Sequence, residues 1–307
     1  MKKSDIVFLT TIFPAVKNFL PDFFDSLESQ TSKDFDLLVI NDGVSDFSFY
    51  DEKYPNLNII EYKFSQSPAK NREYGIKKCI ELNYEYIIFG DSDDFFSKNR
   101  IENSIKALRF NDLVVNELNI YSSGECINNF FAKNLKKTHL LRGEIIDSNI
   151  FGFSNIALRK SIINVDFSFS NKLIAVDWFF VSSLLIKEKI NISFLKDVYT
   201  YYRQHDNNLI GMSLFLTKKK LNLGLNVKQS QYTQMIKYCR KNKLNSDEQI
   251  FKRKLYQILK LREKLEEPLF ENQYLKRVNV LINDFFSGWW SEILTIEDLY
   301  EYEKLKK

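Results

Sequence analysis

The feature that most constrains the fold is a series of four short apolar segments, each followed by polar side chains, in residues 5–94. The segments are "DIVFLTT", "FDLLVIND", "LNIIEYKF" and "YEYIIFG". Their apolar residues are continuous rather than alternating, which indicates strands covered on both faces. Helical spacing of apolar residues in 19–27 and 69–80 predicts helices between them. The sequence therefore predicts an α/β fold, with a mostly parallel sheet flanked by helices.

Three polar clusters stand where predicted strands end. Thr10 and Thr11 close the first strand, Asp42 follows the second, and residues 91–94 follow the fourth. In parallel sheets, ligands bind beyond the carboxyl ends of the strands. We therefore expect the three clusters to converge on one crevice.

The segment "DSDD" places three carboxylates, Asp91, Asp93 and Asp94, within four residues. Like charges this close repel one another and raise each other's pKa. Carboxylate oxygens are hard ligands that suit Mg²⁺ or Mn²⁺, and such a cation would relieve the repulsion and bridge a diphosphate. The alternative is that Asp94 or Asp93 caps a helix in "DFFSKNRIENSIKAL".

Composition excludes several classes of protein. The chain has 307 residues, and its 44 Lys and Arg against 40 Asp and Glu give a net charge of +4, too small for a nucleic-acid partner. The 3 cysteines lack C-x-x-C spacing, which argues against a disulfide framework and a zinc site. No apolar run reaches about 18 residues, the length of a membrane span. We expect a cytoplasmic protein, with peripheral contact at the inner face of the membrane as an alternative.

Taken in order, four segments resemble the family 2 glycosyltransferases of GT-A fold, a Rossmann-like architecture. They are "SLESQTSKDFDLLVINDGVSD", "AKNREYGIKKCIELNYEYIIFGDSDD", "LIAVDWFF" and "YYRQHDNNLIG". The resemblance covers residues 4–110 and resumes at the last two segments. It implies a metal-dependent, inverting transfer of sugar from a nucleoside-diphosphate sugar, with UDP favoured. The implied acceptor is a hydroxyl of a glycan or lipid-linked glycan, in bacterial surface polysaccharide synthesis.

The resemblance also implies a role for each matched position. The residues implied to bind the nucleotide sugar are Thr10, Thr11, Asp42, Arg72, Asp91, Ser92 and Asp93. Those implied to bind Mn²⁺ or Mg²⁺ are Asp93, Asp91 and His205. Asp177 matches the catalytic base, and Trp178 is the candidate platform for the acceptor sugar.

The chain departs from the family pattern at several positions. Asn41 stands where Asp is commoner, Glu73 where Asn is usual, and Val176 where Glu often precedes the base. Val44 and Ser45 replace the usual Ser-Thr. None of these changes removes a residue that the chemistry requires. The chain contains no Gln-x-x-Arg-Trp segment, which argues against a processive synthase.

Several assignments have a structural alternative. Asp177 would serve as a helix N-cap, and Trp178 as a core aromatic residue. His205 would be a hydrogen-bonded structural residue. Arg72 would pair with Glu73 or Glu81, and Arg203 would form a surface salt bridge rather than bind phosphate.

Other classes of protein also carry acidic segments of this kind. A phosphatase of haloacid-dehalogenase type is disfavoured because Phe95 stands where that family has Thr or Val, and an EF-hand lacks the needed Asp and Gly. A non-catalytic nucleotide-sugar-binding, glycan-binding or assembly subunit stays open.

The C-terminal part of the chain has a different pattern. From Met212 onward Pro and Gly are rare, and helical spacing appears in "KRKLYQILKLREKLEE" and "YLKRVNVLINDFF". We predict a catalytic domain over residues 1–211 and a helical region over residues 212–307. The helical region would contact the acceptor or the membrane surface, or form a homodimer.

Overall fold

A computed structural model describes residues 2–122, 125–131, 144–187, 189–205, 215–285 and 293–305. The chain divides into two compact units. The first comprises Met1–Leu140, Phe151–Asn171 and Glu188–Asn207, and the second Leu141–Ile150, Lys172–Lys187 and Asn208–Lys307. The predicted domain boundary at residues 211 and 212 lies outside the described residues.

The first unit is built on one mixed sheet. Its strands are β1 (Ile6–Ile12), β2 (Asp36–Asn41), β3 (Asn58–Lys63), β4 (Tyr86–Phe89), β5 (Phe95–Phe96), β6 (Leu113–Ser122), β7 (Glu125–Ile127), β8 (Ile156–Arg159) and β9 (Ile192–Arg203). Their order is β3-β2-β1-β4-β8-β6-β9-β5, with β7 paired to β6. The helices of this unit are α1 (Leu20–Glu28), α2 (Ser48–Lys53), α3 (Pro68–Glu81) and α4 (Arg100–Leu108).

The predicted α/β fold is confirmed. The four apolar segments form β1 to β4, all parallel, and α3 lies where the helical spacing predicted it. The parallel pattern ends at β4, because β8 enters antiparallel to both β4 and β6. The rest of the sheet is mixed, since β6 and β9 are parallel while β5 and β9 are antiparallel.

A core of aromatic and aliphatic side chains supports the carboxyl ends of β1 and β4. Phe8 of β1 packs against Phe23 of α1 and Phe96 of β5, with ring centroids 6.0 and 5.2 Å apart. Gly90 directly follows β4, and a Cβ atom there would lie 2.3 Å from the Phe8 ring and 2.8 Å from that of Phe96. Glycine therefore allows the chain after β4 to cross these rings at close range.

The second unit is helical. Its helices are α5 (Glu144–Asp147), α6 (Val176–Lys187), α7 (Lys218–Lys241), α8 (Asn245–Lys264), α9 (Pro268–Phe285) and α10 (Ile296–Leu305). Leu221, Leu225 and Met235 of α7 and Phe251 and Ile258 of α8 are buried apolar residues of this unit. No helix in the described part of the chain is long and apolar enough to cross a bilayer.

Candidate functional site

The carboxylate segment follows β4 and lies beside the end of β1. These two strands are parallel neighbours, with Leu9 opposite Phe89. The hydroxyl of buried Ser92 donates a hydrogen bond of 2.8 Å to the carbonyl oxygen of Thr11. This bond ties the "DSDD" segment to the first strand, so two of the three predicted polar clusters are adjacent.

Arg72 of α3 forms an ion pair with Asp91, which has a half-buried carboxylate. The Arg72 guanidinium also lies 5.7 Å from the ring centroid of Phe153. Glu73 and Glu81, the alternative partners that the sequence offers for Arg72, bind other residues instead. Glu73 pairs with two lysines, and Glu81 pairs with Lys78. Arg72 therefore brings positive charge to the carboxylate segment.

Asp42, the third predicted cluster, is held by the same helix. Buried Asn71 donates a hydrogen bond of 2.7 Å to an Asp42 carboxylate oxygen and accepts one of 3.0 Å from the Gln66 backbone N–H. Asn41, a departure from the family pattern, closes the turn after β2 through bonds with both backbone groups of Val44. Its amide therefore stabilises the loop that presents Asp42.

A small cleft lies between these elements. Its lining includes Thr11, Asn71, Arg72, Gly90 and Phe153. Both threonines are buried, but the hydroxyl of Thr10 has no hydrogen-bond partner among the described residues. Alternation along β1 places the two threonines on opposite faces of the sheet, and Thr11 is the one at the cleft.

His205 lies against Asp93. Its Nε2 atom is 3.0 Å from a carboxylate oxygen of Asp93, and its ring centroid is 4.7 Å from that of Phe19. A carboxylate oxygen is a ligand that suits Mn²⁺ or Mg²⁺, and an imidazole nitrogen is the commonest metal ligand in proteins. Among the described residues, no group of three or more His, Cys, Asp or Glu side chains is arranged to hold a metal ion. The residues nevertheless fit a divalent cation, because repulsion within the carboxylate segment calls for positive charge.

Asp94 does not cap the helix that follows it. Helix α4 begins at Arg100, and the residue preceding it, Asn99, makes no side-chain cap bond. The buried carboxylate of Asp94 accepts hydrogen bonds from the Ser154 hydroxyl and from the Arg203 backbone N–H. Burial, together with the nearby charges of Asp93 and Asp91, raises the pKa of Asp94 well above its usual value.

Arg203 forms more than the surface salt bridge that the sequence suggested. It pairs with Asp22, but its Nε–H also donates a hydrogen bond of 2.9 Å to the backbone carbonyl of Asp93. Its guanidinium carbon lies 4.9 to 5.3 Å from the ring centroids of Phe19, Phe95 and Tyr121. The arginine is thus held between three rings and the carboxylate segment.

Asp177 belongs to the second unit. It lies in the first turn of α6, one residue inside the helix. Its carboxylate accepts hydrogen bonds of 2.8 Å from the Trp178 backbone N–H and 3.2 Å from the buried amide of Asn149. Its orientation is therefore fixed from two sides.

Trp178 is fully buried in the second unit. Its indole N–H donates to the carbonyl of Ile145, and its ring packs edge-on against Tyr232 at 6.1 Å. A side chain with no exposed surface has no face for a sugar. The structure therefore favours the core alternative for Trp178 over acceptor stacking.

Glu73 of α3 connects the helix to the segment at residues 168–169. Its carboxylate accepts hydrogen bonds from Lys70, Lys77 and the Phe169 backbone N–H, at 2.6 to 2.8 Å. Burial acts to raise the pKa of Glu73, but these donors outweigh it and the pKa is lowered. Phe169 is buried, so this carboxylate fixes a segment of the core.

We expect Glu73→Gln to lower the free energy of unfolding at pH 7 by about 1–3 kcal/mol. Because the folded-state pKa is lowered, the stabilisation is present above the unfolded-state pKa of about 4.3 and is lost as the pH falls through the folded-state value. Urea denaturation between pH 3 and pH 7 measures this. Exposed Glu81, which pairs with Lys78 on the same helix, supplies the control: Glu81→Gln should change stability by less than about 0.5 kcal/mol. Equal effects of the two substitutions would contradict the assignment.

The sequence model of "Glycosyl transferase family 2" matches residues 10–179, more than half of the chain. The chain belongs to glycosyl transferase family 2. Among the relatives of this family 2 member is a dTDP-rhamnosyl transferase, RfbG, of Shigella flexneri, 29% identical over 185 residues that cover 56% of this chain and 62% of the relative. An uncharacterized glycosyltransferase of Rickettsia felis is 33% identical over 101 residues, 32% of this chain. The match spans only 16% of the Rickettsia protein, so each of these relatives is covered over less than two thirds of its length.

Solved structures agree on the fold of the family 2 chain. S. aureus TarS residues 1–349 in complex with UDP-GlcNAc align with a TM-score of 0.58 at 18% identity, over 92% of this chain and 81% of TarS. The mannosyltransferase PcManGT of Pyrobaculum calidifontis, in complex with GDP-Man and Mn²⁺, aligns with a TM-score of 0.55 at 10% identity, over 100% of this chain and 88% of that one. The expectation of a GT-A fold is confirmed.

In this family 2 chain, one unit brings together most of the predicted site residues. Arg72 lies on α3, and Asp42 is held by Asn71 of the same helix. Thr11, Ser92 and the carboxylates lie at the ends of β1 and β4. Sequence reasoning missed the roles of Asn71, Ser154 and Asn149, which are uncharged, and of which Ser154 and Asn149 lie in no matched segment. Asn71 lay within the matched segment "AKNREYG", and that was the one available signal.

Proposed function

We propose that this protein is a metal-dependent inverting glycosyltransferase that uses a nucleoside-diphosphate sugar. The observation that carries the proposal is the convergence of Arg72, Asp91, Asp93 and His205 beyond the ends of β1, β4 and β9. Such a cluster combines positive charge for a diphosphate with carboxylates for a cation. Family membership supplies the reaction class.

For the donor, we propose that Thr11, Asp42 and Arg72 contact the nucleotide, with Thr10 and Ser92 shaping the strand ends. Asp42 is fixed by Asn71 and so presents its free lone pairs in one direction. UDP is favoured, in line with TarS, whose structure contains UDP-GlcNAc. RfbG is described as a dTDP-rhamnosyl transferase, and the PcManGT structure contains GDP-Man. The identity of the donor nucleotide is therefore tested first.

For the cation, we propose that Asp93 and His205 hold Mn²⁺ or Mg²⁺, with Asp91 beside them. A bound divalent cation stabilises negative charge on a leaving diphosphate. The chain's own contribution is to hold these side chains together before the donor arrives. Arg72 adds a fixed positive charge on the Asp91 side.

For the transfer itself, we propose that Asp177 removes the proton from the acceptor hydroxyl. The hydroxyl oxygen then forms the bond to the anomeric carbon as the diphosphate leaves from the opposite face, which inverts that centre. Two N–H donors, from Trp178 and Asn149, hold the carboxylate in one orientation. A glycan or lipid-linked glycan of the bacterial surface is the proposed acceptor. The helices of residues 212–307 are proposed to contact the acceptor or the membrane surface, or to form a homodimer.

Thermal denaturation in the presence of UDP, GDP, dTDP and CMP, with and without Mn²⁺, tests the donor site. We expect one nucleoside diphosphate to raise the melting temperature only with Mn²⁺. At about 100 times Kd, ligand binding adds about 2.7 kcal/mol to the free energy of unfolding. Asp93→Ala should abolish that increase.

The matched control is Asp5→Ala. Asp5 is an exposed aspartate that directly precedes β1, at the end of the strand away from the carboxylate segment. It should leave the ligand response unchanged. A protein that no nucleotide stabilises, with or without Mn²⁺, would refute the donor site. Stabilisation without any release of nucleoside diphosphate from the sugar nucleotide would instead favour the non-catalytic binding subunit.

A further inference from the structure

The carboxylate of Asp94 joins three segments that are distant in sequence. One oxygen accepts the hydroxyl hydrogen of Ser154, and the other accepts the Arg203 backbone N–H at 2.8 Å. Asp94 is 1% exposed, so water does not compete for these bonds. Of the three acidic side chains in "DSDD", Asp94 is the buried one.

Arg203 also donates a side-chain hydrogen bond back to the carboxylate segment. Its Nε–H donates to the backbone carbonyl of Asp93, so residues 93 and 94 are bonded to residue 203 through two separate hydrogen bonds. The three rings around its guanidinium restrict the side chain to one position. We call this pair of bonds the 94–203 latch.

The latch lies next to the two proposed cation ligands. Asp93 immediately precedes Asp94, and His205 is two residues beyond Arg203. Residues two apart in an extended chain lie on the same side, which agrees with Arg203 and His205 both contacting Asp93. Fixing residue 203 to residues 93 and 94 therefore sets the separation of the Asp93 carboxylate and the His205 imidazole.

We infer that Asp94 and Arg203 are positioning residues, which hold Asp93 and His205 at the separation that a divalent cation requires. The inference rests on the proposed function, because it assumes that these two residues bind the cation. Outer partners that orient metal ligands typically contribute about 10- to 100-fold to metal affinity. A latch of this kind would raise affinity without touching the cation or the donor.

The test measures Mn²⁺ affinity by electron paramagnetic resonance, with the full chain, in the presence of UDP, GDP or dTDP. We expect Asp94→Ala to weaken Mn²⁺ binding at least 10-fold. Asp94→Asn should restore it to within about threefold, because an amide of the same shape can accept from the Arg203 N–H and donate to the Ser154 oxygen. A residue with a merely structural role would change the melting temperature without this pattern in affinity.

Two further variants keep the inference testable if Asp94→Ala does not fold. Arg203→Lys retains the charge and the backbone N–H but loses the Nε–H bond to Asp93, and should weaken Mn²⁺ binding about 10-fold. Asp22→Ala removes only the exposed partner of Arg203 and should leave affinity within about twofold.

The outcomes separate the two claims. Folded Asp94→Ala and Arg203→Lys proteins with wild-type Mn²⁺ affinity would overturn the latch while leaving the proposed function intact. Failure of Asp94→Asn to restore Mn²⁺ binding would also overturn the latch, because the inference attributes the affinity to the hydrogen bonds of Asp94 and not to its charge. A wild-type protein that binds no Mn²⁺ with any of the three nucleotides would overturn the proposed function, and the latch's role with it.

Discussion

Replacing Asp177 with Asn is expected to slow the release of nucleoside diphosphate from the sugar nucleotide about 10²- to 10⁴-fold, the usual contribution of a positioned general base. The isosteric amide can still accept the hydrogen bond from the Trp178 backbone N–H, so helix α6 should remain intact. The variant loses the capacity to take a proton and, because its NH2 replaces the second oxygen, the capacity to accept the hydrogen bond from the Asn149 amide. Donor affinity, measured by isothermal titration, should stay within about twofold of the wild type, because a base acts on the acceptor hydroxyl.

Asp147→Asn is the matched control for this experiment. Asp147 also lies in the second unit, where it pairs with Lys254 and accepts a hydrogen bond from Tyr232. Its substitution should change the reaction rate less than about twofold, with some loss of stability. If Asp177→Asn turned over at the wild-type rate, the assignment of the base would be wrong, and Asp177 would be a structural residue of the first turn of α6.

Replacing Arg100 with Ala is expected to lower the free energy of unfolding by about 3–5 kcal/mol, because a large, fully buried side chain is lost together with its packing contacts and its hydrogen bond. Arg100 is 0% exposed; its Nη2 donates to the carbonyl of Phe89, and its guanidinium carbon lies 4.3 Å from the ring centroid of Phe96. Its Nε and Nη1 have no hydrogen-bond partner among the described residues. Burial lowers the pKa of Arg100 to about 9, although Asp94 and Asp91 oppose the shift.

A double-mutant cycle separates charge from packing in that loss. If Arg100 compensates the buried carboxylate of Asp94, then Asp94→Asn combined with Arg100→Ala should cost less than the sum of the two single substitutions. Urea denaturation of the four proteins gives the coupling free energy. Strict additivity would mean that the loss comes from the cavity and from the aromatic contacts alone. Lys106→Ala, at an exposed position of the same helix, is the control and should change stability by less than about 1 kcal/mol.

The first 90 residues could be interpreted from sequence because their strands are continuously apolar and each ends in polar residues. β1 and β2 are fully buried, so hydropathy alone marks them. Strand β6 could not be recognised in the same way. It carries Asn116, Glu117 and Asn119 in buried positions, where Asn116 bonds to Thr200 and Glu117 accepts from two backbone N–H groups. Polar residues satisfied by long-range bonds remove the apolar pattern on which prediction depends.

The motif residues of the candidate site were named from the sequence. The residues that hold them in place were not. Asp91 and Asp93 have the spacing of a motif, and His205 stands in the matched segment "YYRQHDNNLIG". The bonds that hold Asp94 and the Asp93 backbone come from residues 60 to 110 positions away in the chain. Arg100 gave no signal, because an arginine at a helix N-terminus normally lies in water. Arg203 was assigned to the surface on the same general expectation. Whether such residues are buried depends on tertiary packing, which a single sequence does not reveal.

The order of strands in the sheet has a consequence for biosynthesis. β4 is covered on its far side by β8, and β5 is paired with β9, although β4 and β5 are synthesised at residues 86–96 and their partners at residues 156–203. A nascent chain that has emerged only to residue 150 therefore exposes the unpaired backbone of β4 to other chains. Slow translation or early truncation in that interval should favour aggregation, and ribosome-associated chaperones should bind there.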